Sequence, residues 1–156
     1  KLSDWATTVV MLCYAGTRPS EFLSILKTDV KLKQRYFIVR DSKTEAGRNR
    51  VVPISRKTLP YFEHWMQMPG KTLITKPDGN AMPYRTYRLN FKAVMQASRC
   101  KHTPHECRHT LATWLDNAGA NELSIKRILG HAAKGVTQKV YTHKSITQLR
   151  KAIDLL

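Results

Sequence analysis

The chain has 156 residues, 42% of them hydrophobic, which suits one domain with a buried core and excludes a disordered polymer. Its 27 basic residues against 11 acidic ones leave a net charge of +16, a field that draws polyanions and makes nucleic acid the expected partner ahead of an anionic membrane. No apolar run approaches the ~18 residues of a membrane span, no signal peptide leads the chain, and three cysteines without a C-x-x-C spacing read as a reduced, cytoplasmic protein.

In chain order, "SDWATTVVMLCYAG" places Trp5, Val9, Leu12 and Cys13 on one helical face, and Gly16 stops the helix. "TRPSEFLSIL" begins a second, with Thr17 as the expected N-cap, Pro19 in the first turn and Glu21 complementing the dipole. "RYFIVRD" and "RNRVVPIS" read as two strands of a hairpin joined through "SKTEAG". "KTLPYFEHWMQM" is a short helix with Pro60 in its first turn, and "MPGK" and "KPDGN" are turns.

Further on, "PYRTYRLNFKAVMQASR" is helical, with Tyr84, Tyr87, Phe91, Val94 and Met95 as its apolar stripe. Pro104 is expected to start, and Gly119 to end, a helix carrying Cys107, Leu111, Trp114, Leu115 and Ala118. "NELSIKRILG" follows, anchored by Ile125, Ile128 and Leu129; then come a loop, "HAAKG", and a short helix holding Tyr141. "SITQLRKAIDLL" closes the chain with Ile146, Leu149, Ile153 and Leu156 on one side. The fold class is therefore α+β, mainly helical: a compact helical domain with a small antiparallel sheet in its N-terminal third.

Four separated spots carry polar residues that suit phosphodiester chemistry: Arg18 at a helix start, Lys43 in the hairpin turn, His105 and Arg108 three apart, and His131 with Tyr141 after it. Two guanidiniums supply paired, fixed donors to the non-bridging oxygens of a phosphoryl transition state. A tyrosine hydroxyl attacks phosphorus once a neighbour takes its proton, and imidazole is a base or donor near neutral pH. Lysine can protonate a departing oxygen, and no Asp/Glu cluster offers itself to Mg²⁺.

At these residues the sequence resembles the catalytic domain of the tyrosine recombinases, also called the phage integrase family. "GTRPSEFLSI" is similar to that family's first arginine box, "SKT…GRNRVVPI" to its β-hairpin lysine segment, "TPHECRHTLAT" to its His-x-x-Arg-His box, and "LGH…VYTH" to its histidine and nucleophile segment. The four occur in the family's order and span nearly the whole chain; each alone is a weak signal. The resemblance implies that Tyr141 forms a 3′-phosphotyrosyl bond and frees a 5′-hydroxyl, that Arg18, Arg108 and His131 hold the scissile phosphate of double-stranded DNA, that His105 assists proton transfer, and that Lys43 is the general acid. It further implies site-specific recombination without metal, ATP or other cofactor, through a Holliday junction in a homo-tetramer on two duplexes, with the C-terminal helix, 145–155, docking in trans on a neighbouring protomer. A helix so engaged would leave Ile146, Leu149 and Ile153 poorly buried in a lone copy, with the helix mobile or folded back; packing of the stripe on its own domain is the alternative. Residues 1–156 would be the catalytic domain of a longer protein whose N-terminal core-binding domain is not in this chain, acting at the nucleoid of a prokaryotic or phage-infected cell. His131 and Tyr141 are ten positions apart, one more than the family commonly has.

Arg48, Arg50, Lys76, Arg85, Arg88, Lys92 and Lys139 are the expected phosphate contacts, which position DNA without reading it. Plainer roles stand beside these: Lys43 as a solvated turn lysine, His105 as a capping histidine, His109 as a packing one. Zinc on Cys100, His102, His105 and Cys107 does not match the usual ligand spacings. A type IB topoisomerase, relaxing supercoils as a monomer, and a basic DNA-binding module without catalysis are the rival functions.

Overall fold

Helix α1 (Leu2–Ala15) forms the central ridge of the core in the computed structural model, which describes residues 1–132 and 143–156. It buries Thr8, Met11, Leu12 and Ala15, with Trp5, Val9 and Cys13 packed at the margins, a wider face than the sequence stripe suggests. Helices α3 (Leu59–Met66), α4 (Tyr84–Ala97) and α5 (Glu106–Asn117) pack around it. Trp65 of α3 lies 5.4 Å from Trp5, ring to ring, and its indole N–H donates to Thr7 Oγ1 at 3.0 Å, so this large ring is buried with its polar atom satisfied.

Gly16 ends α1 in the left-handed region at φ 63°, its N–H donating to Leu12 O at 3.1 Å. A Cβ there would stand 2.5 Å from Leu111 and 2.9 Å from Leu129, so the chain turns in a gap between α5 and α6 that only glycine fits. Helix α2 (Pro19–Leu23) follows at once. Its N-cap is Arg18, not Thr17: the Arg18 N–H donates to Glu21 Oε2 at 2.9 Å, and the Thr17 hydroxyl is buried without a hydrogen-bond partner among the described residues. The Glu21 carboxylate, at the third helical position, satisfies the N-cap N–H.

The sheet has three antiparallel strands in the order β1 (Val30–Lys31), β2 (Tyr36–Val39), β3 (Arg50–Pro53), with Phe37 opposite Val52 and Val39 opposite Arg50. The sequence pattern predicts β2 and β3; β1 is two residues long and too short to leave a periodic signal. Residues 40–49 connect β2 to β3 through a 3₁₀ turn at Glu45–Gly47. Helix α5 begins at Glu106 with His105 as its N-cap, two residues later than Pro104 suggests. Helix α6 (Glu122–Leu129) is capped by Asn121, whose side chain accepts the Ser124 N–H at 3.1 Å, and ends at Gly130 in the left-handed region.

The C-terminal helix α7 (His143–Ile153) packs on β3 and α6 of its own chain. Leu149, Ala152 and Ile153 are buried, contrary to the exposure expected of a helix docked in trans. Beyond it, Asp154 accepts two hydrogen bonds from Arg35, at 2.9 and 2.7 Å, a bidentate pair that clamps the chain end to the turn before β2. Apolar area of this size stabilises by roughly 1.5–3 kcal/mol per large side chain, which accounts for the helix lying on its own domain. Among the described residues, no helix is long and apolar enough to cross a membrane.

Candidate active site

The site is built at the junction of four segments: the start of α2, the β2–β3 connection, the first turn of α5 and the end of α6. Its centre is Glu21. One carboxylate oxygen accepts from Arg18 Nη1 at 2.8 Å and from the Ser42 hydroxyl at 2.7 Å; the other accepts from Arg18 N at 2.9 Å and Arg50 Nη2 at 2.7 Å. Burial alone would push this carboxyl up, but the Arg50 hydrogen bond and charge, the Ser42 hydroxyl and the Arg18 N–H outweigh it and hold the pKa down to about 2. Glu21 is therefore a fixed anion at pH 7. Its place in a helix first turn suggested only a favourable dipole contact from sequence.

Arg18 is held in this arrangement, with Nη1 also donating to Ser42 Oγ at 3.1 Å. Lys43, adjacent to that serine, is exposed in the connection. Arg108, at the third position of α5, reaches back to donate from Nη1 to Gly16 O at 3.0 Å. Its Nη2 is buried and meets no hydrogen-bond partner among the described residues. Desolvation first, then the charges of Arg18 and Arg50, lower the Arg108 pKa to about 10, with Glu21 opposing them. His131 follows Gly130, and its N–H donates to Lys126 O at 2.9 Å in a cap that closes α6. Its side chain is exposed, yet its pKa is lowered, by desolvation and then by Arg108, Arg18, Arg50 and His109, so the ring is neutral at pH 7 and presents one N–H.

The charges of Arg18 and Arg108 thus reach His131, and Arg18 and Arg108 both feel the Glu21 carboxylate. His105 is less closely tied: it is exposed at the N-cap of α5, edge-on to Tyr84 with ring centroids 6.1 Å apart. Tyr141 and Lys139 lie outside the described residues.

The expected DNA contacts divide. Arg85, Arg88 and Lys92 are exposed along α4. Arg48 is half-exposed and donates to Ser42 O at 3.3 Å; Lys76 pairs with Asp78 at 2.9 Å. Arg50 is the correction: it is buried inside the protein, with Nε donating to Ile128 O at 3.1 Å, Nη1 to Gly47 O at 2.7 Å and Nη2 to Glu21. A guanidinium with a bond on each of its three nitrogens and only 1% exposed is out of reach of a backbone phosphate. The signal for this lay in strand β3, whose four residues are all buried; a strand reading Arg-Val-Val-Pro has no polar face for the arginine to join.

Cys107 is buried in the core, with Cys13 partly buried, and Cys100 is exposed; among the described residues no three His, Cys, Asp or Glu side chains group so as to hold a metal ion. Fixed guanidinium donors, one of them unspent, a neutral imidazole and a basic surround are suited to binding and polarising a phosphodiester.

Comparison with known proteins agrees with this chemistry. Residues 2–148 match the phage integrase family. Tyrosine recombinase XerA of Pyrococcus horikoshii is 29% identical over 160 residues, covering 94% of this chain and 53% of that protein. Tyrosine recombinase XerA of Thermococcus kodakarensis is 31% identical over 151 residues, covering 92% of this chain and 52% of the relative. The chain thus spans about half the length of these curated relatives. The integrase from mycobacterium phage Brujita has the same fold, with a TM-score of 0.77 at 18% identity over 98% of this chain and 51% of that one.

Proposed function

The chain belongs to the phage integrase family, and from that premise we propose that it is the catalytic domain, residues 1–156, of a tyrosine recombinase that cuts and rejoins double-stranded DNA at a specific site. The observation that carries the proposal is Arg108 Nη2, a buried donor with no partner among the described residues, in the charge field of Arg18 and itself felt by the His131 ring. Burying an unsatisfied cationic donor among like charges is costly, and an anionic phosphate is the ligand that relieves it.

In the proposed reaction the Tyr141 oxygen attacks the scissile phosphorus as its proton passes to His105 or solvent. A phosphorus–oxygen bond to tyrosine forms, the bond to the 5′-oxygen breaks, and Lys43 protonates that oxygen. Arg18, Arg108 and the N–H of neutral His131 take the charge that gathers on the non-bridging oxygens. A 5′-hydroxyl from a second strand then attacks the phosphotyrosine by the same steps in reverse, so bond energy is conserved and no external energy source is consumed. Exposed Arg85, Arg88 and Lys92 on α4, with Arg48, Lys76 and Lys139, contact backbone phosphates. Four copies on two duplexes would exchange strands at the nucleoid of a prokaryotic or phage-infected cell. Assembly through α7 would require that helix to leave its seat on β3 and α6.

The test is covalent capture. The intact protein is incubated in EDTA, without ATP, with nicked duplexes of randomised sequence, and adducts surviving denaturation are sequenced. A defined sequence joined at its 3′-phosphate, and lost in Tyr141→Phe, supports the proposal; Holliday-junction products from that sequence distinguish recombination from relaxation. DNA retention without any denaturation-resistant adduct would leave a binding module instead.

A further inference from the structure

Arg50 ties together three segments that are distant in sequence. Its Nη2 holds Glu21, and through Glu21 the guanidinium of Arg18; its Nη1 holds Gly47 O, in the turn that carries Lys43; its Nε holds Ile128 O, in the last turn before Gly130 and His131. The packing around it leaves no slack. A Cβ on Gly130 would lie 2.9 Å from Arg50 Cδ and 2.9 Å from Gly47 Cα, and Gly130 has φ +69°. A Cβ on Gly47 would lie 2.3 Å from Ser42 Oγ and 3.2 Å from Arg50 Nη1. The hairpin connection and the α6 cap therefore close on the guanidinium from two sides, with glycine on each.

On the reading of the site given above, we propose that Arg50 is a positioning residue: one buried guanidinium sets Arg18, the Lys43 turn and His131 relative to one another, without touching DNA. A planar fork with fixed donor directions is suited to this and an ammonium is not, because three acceptors in three directions cannot be reached from one flexible point charge. Arg50 also supplies the charge that balances Glu21, so that Glu21 holds the Arg18 guanidinium in place without cancelling its charge toward the scissile phosphate.

The experiment compares wild type with Arg50→Lys and Arg50→Met in the intact protein. Single-turnover adduct formation is read on the nicked duplex that wild type selects, with an ordinary scissile phosphate and with a methylphosphonate that lacks one negative charge. Both variants should melt cooperatively and bind this duplex within about threefold of wild type, while adduct formation falls about a hundredfold or more, the scale of an ångström-sized misplacement. On the neutral linkage the Arg50→Lys deficit, which is misplacement alone, should persist, and the larger Arg50→Met deficit should shrink by about tenfold toward it, because an unbalanced Glu21 no longer weakens the hold on a charged phosphate. A merely structural role predicts the same Arg50→Met deficit on both linkages, or a loss that follows DNA affinity; either result overturns the proposal. Amide exchange of the free variants is read in parallel. Faster exchange at 42–47 and 129–131 with α1 unchanged supports the tie, and unchanged exchange there overturns it whether or not wild type cleaves DNA. Wild type forming no adduct at all would remove the reading of the site, a different failure.

Discussion

Arg50 Nη2 donates to Glu21 Oε2 at 2.7 Å, and the two side chains are only 1% and 3% exposed. This is a buried ion pair with further hydrogen bonds on both sides, the case in which removing one partner costs most. The Glu21 pKa is depressed from an ordinary 4.5 to about 2. A depressed carboxylate contributes stability that is fully present above its unfolded value and is lost as pH falls toward the folded one. Glu21→Gln should therefore lower the unfolding free energy at pH 7 by on the order of 3 kcal/mol. The gap from wild type should close as pH drops from about 4.5 to about 2. Urea titrations across that range decide it; a gap independent of pH would mean the carboxylate charge is not what Arg18 and Arg50 require.

Arg108 presents the opposite balance. It is desolvated, repelled by Arg18 and Arg50, and keeps one donor unspent. Among the described residues its guanidinium donates to Gly16 O alone. Arg108→Met should leave stability within about 1 kcal/mol of wild type, since a lost hydrogen bond is offset by relief of a strained charge. Adduct formation should fall by about a hundredfold or more, the usual loss for a transition-state donor. A drop in stability of several kcal/mol alongside the lost activity would recast Arg108 as part of the scaffold.

Candidate residues were easier to pick from the sequence than their surroundings. Arg18, Arg108 and His131 stood out as candidates because each sits at a helix end signalled by proline or glycine, and because no dipole argument favours an arginine where Arg18 stands. What the sequence could not carry was direction. Arg48 and Arg50 are two residues apart in a basic run, yet one is half-exposed and the other is buried. That difference depends on Glu21, Gly47 and Ile128 arriving from three distant segments. Strand β1 was missed because two residues show no period, and the N-cap is Arg18 rather than Thr17, its N–H satisfied by a side chain three residues on. The seat of α7 was left open between its own domain and a neighbouring copy for a similar reason: an apolar stripe states that it will be covered, not by which copy.

Two of the three cysteines face each other across the α1–α5 interface. The hydrogen bond with Cys13, then burial, push the Cys107 thiol up, so it resists forming the reactive thiolate; the same contact lowers the Cys13 thiol, which partial burial shields, while Cys100 is exposed. Titration of native protein with an aromatic disulfide reagent should show one fast equivalent, abolished in Cys100→Ser, and two that react only on unfolding. Three fast equivalents would show that α1 and α5 separate readily in solution.

The last helix gives the sharpest contrast between two arrangements of the same residues. Ile153 and Leu149 are 0% and 1% exposed against β3 and α6, whereas Leu155, two positions on, is 53% exposed. If α7 rests on its own domain in the free protein, Ile153→Ala creates an internal cavity and should cost about 2–4 kcal/mol, independent of protein concentration. Leu155→Ala should change stability by no more than about 0.5 kcal/mol. If the helix instead spends its time on a neighbouring copy, the Ile153→Ala cost should appear as weaker self-association, and the melting temperature should rise with protein concentration. Denaturant unfolding of both variants at two concentrations a hundredfold apart separates these outcomes, and the buried contacts of α7 predict the first.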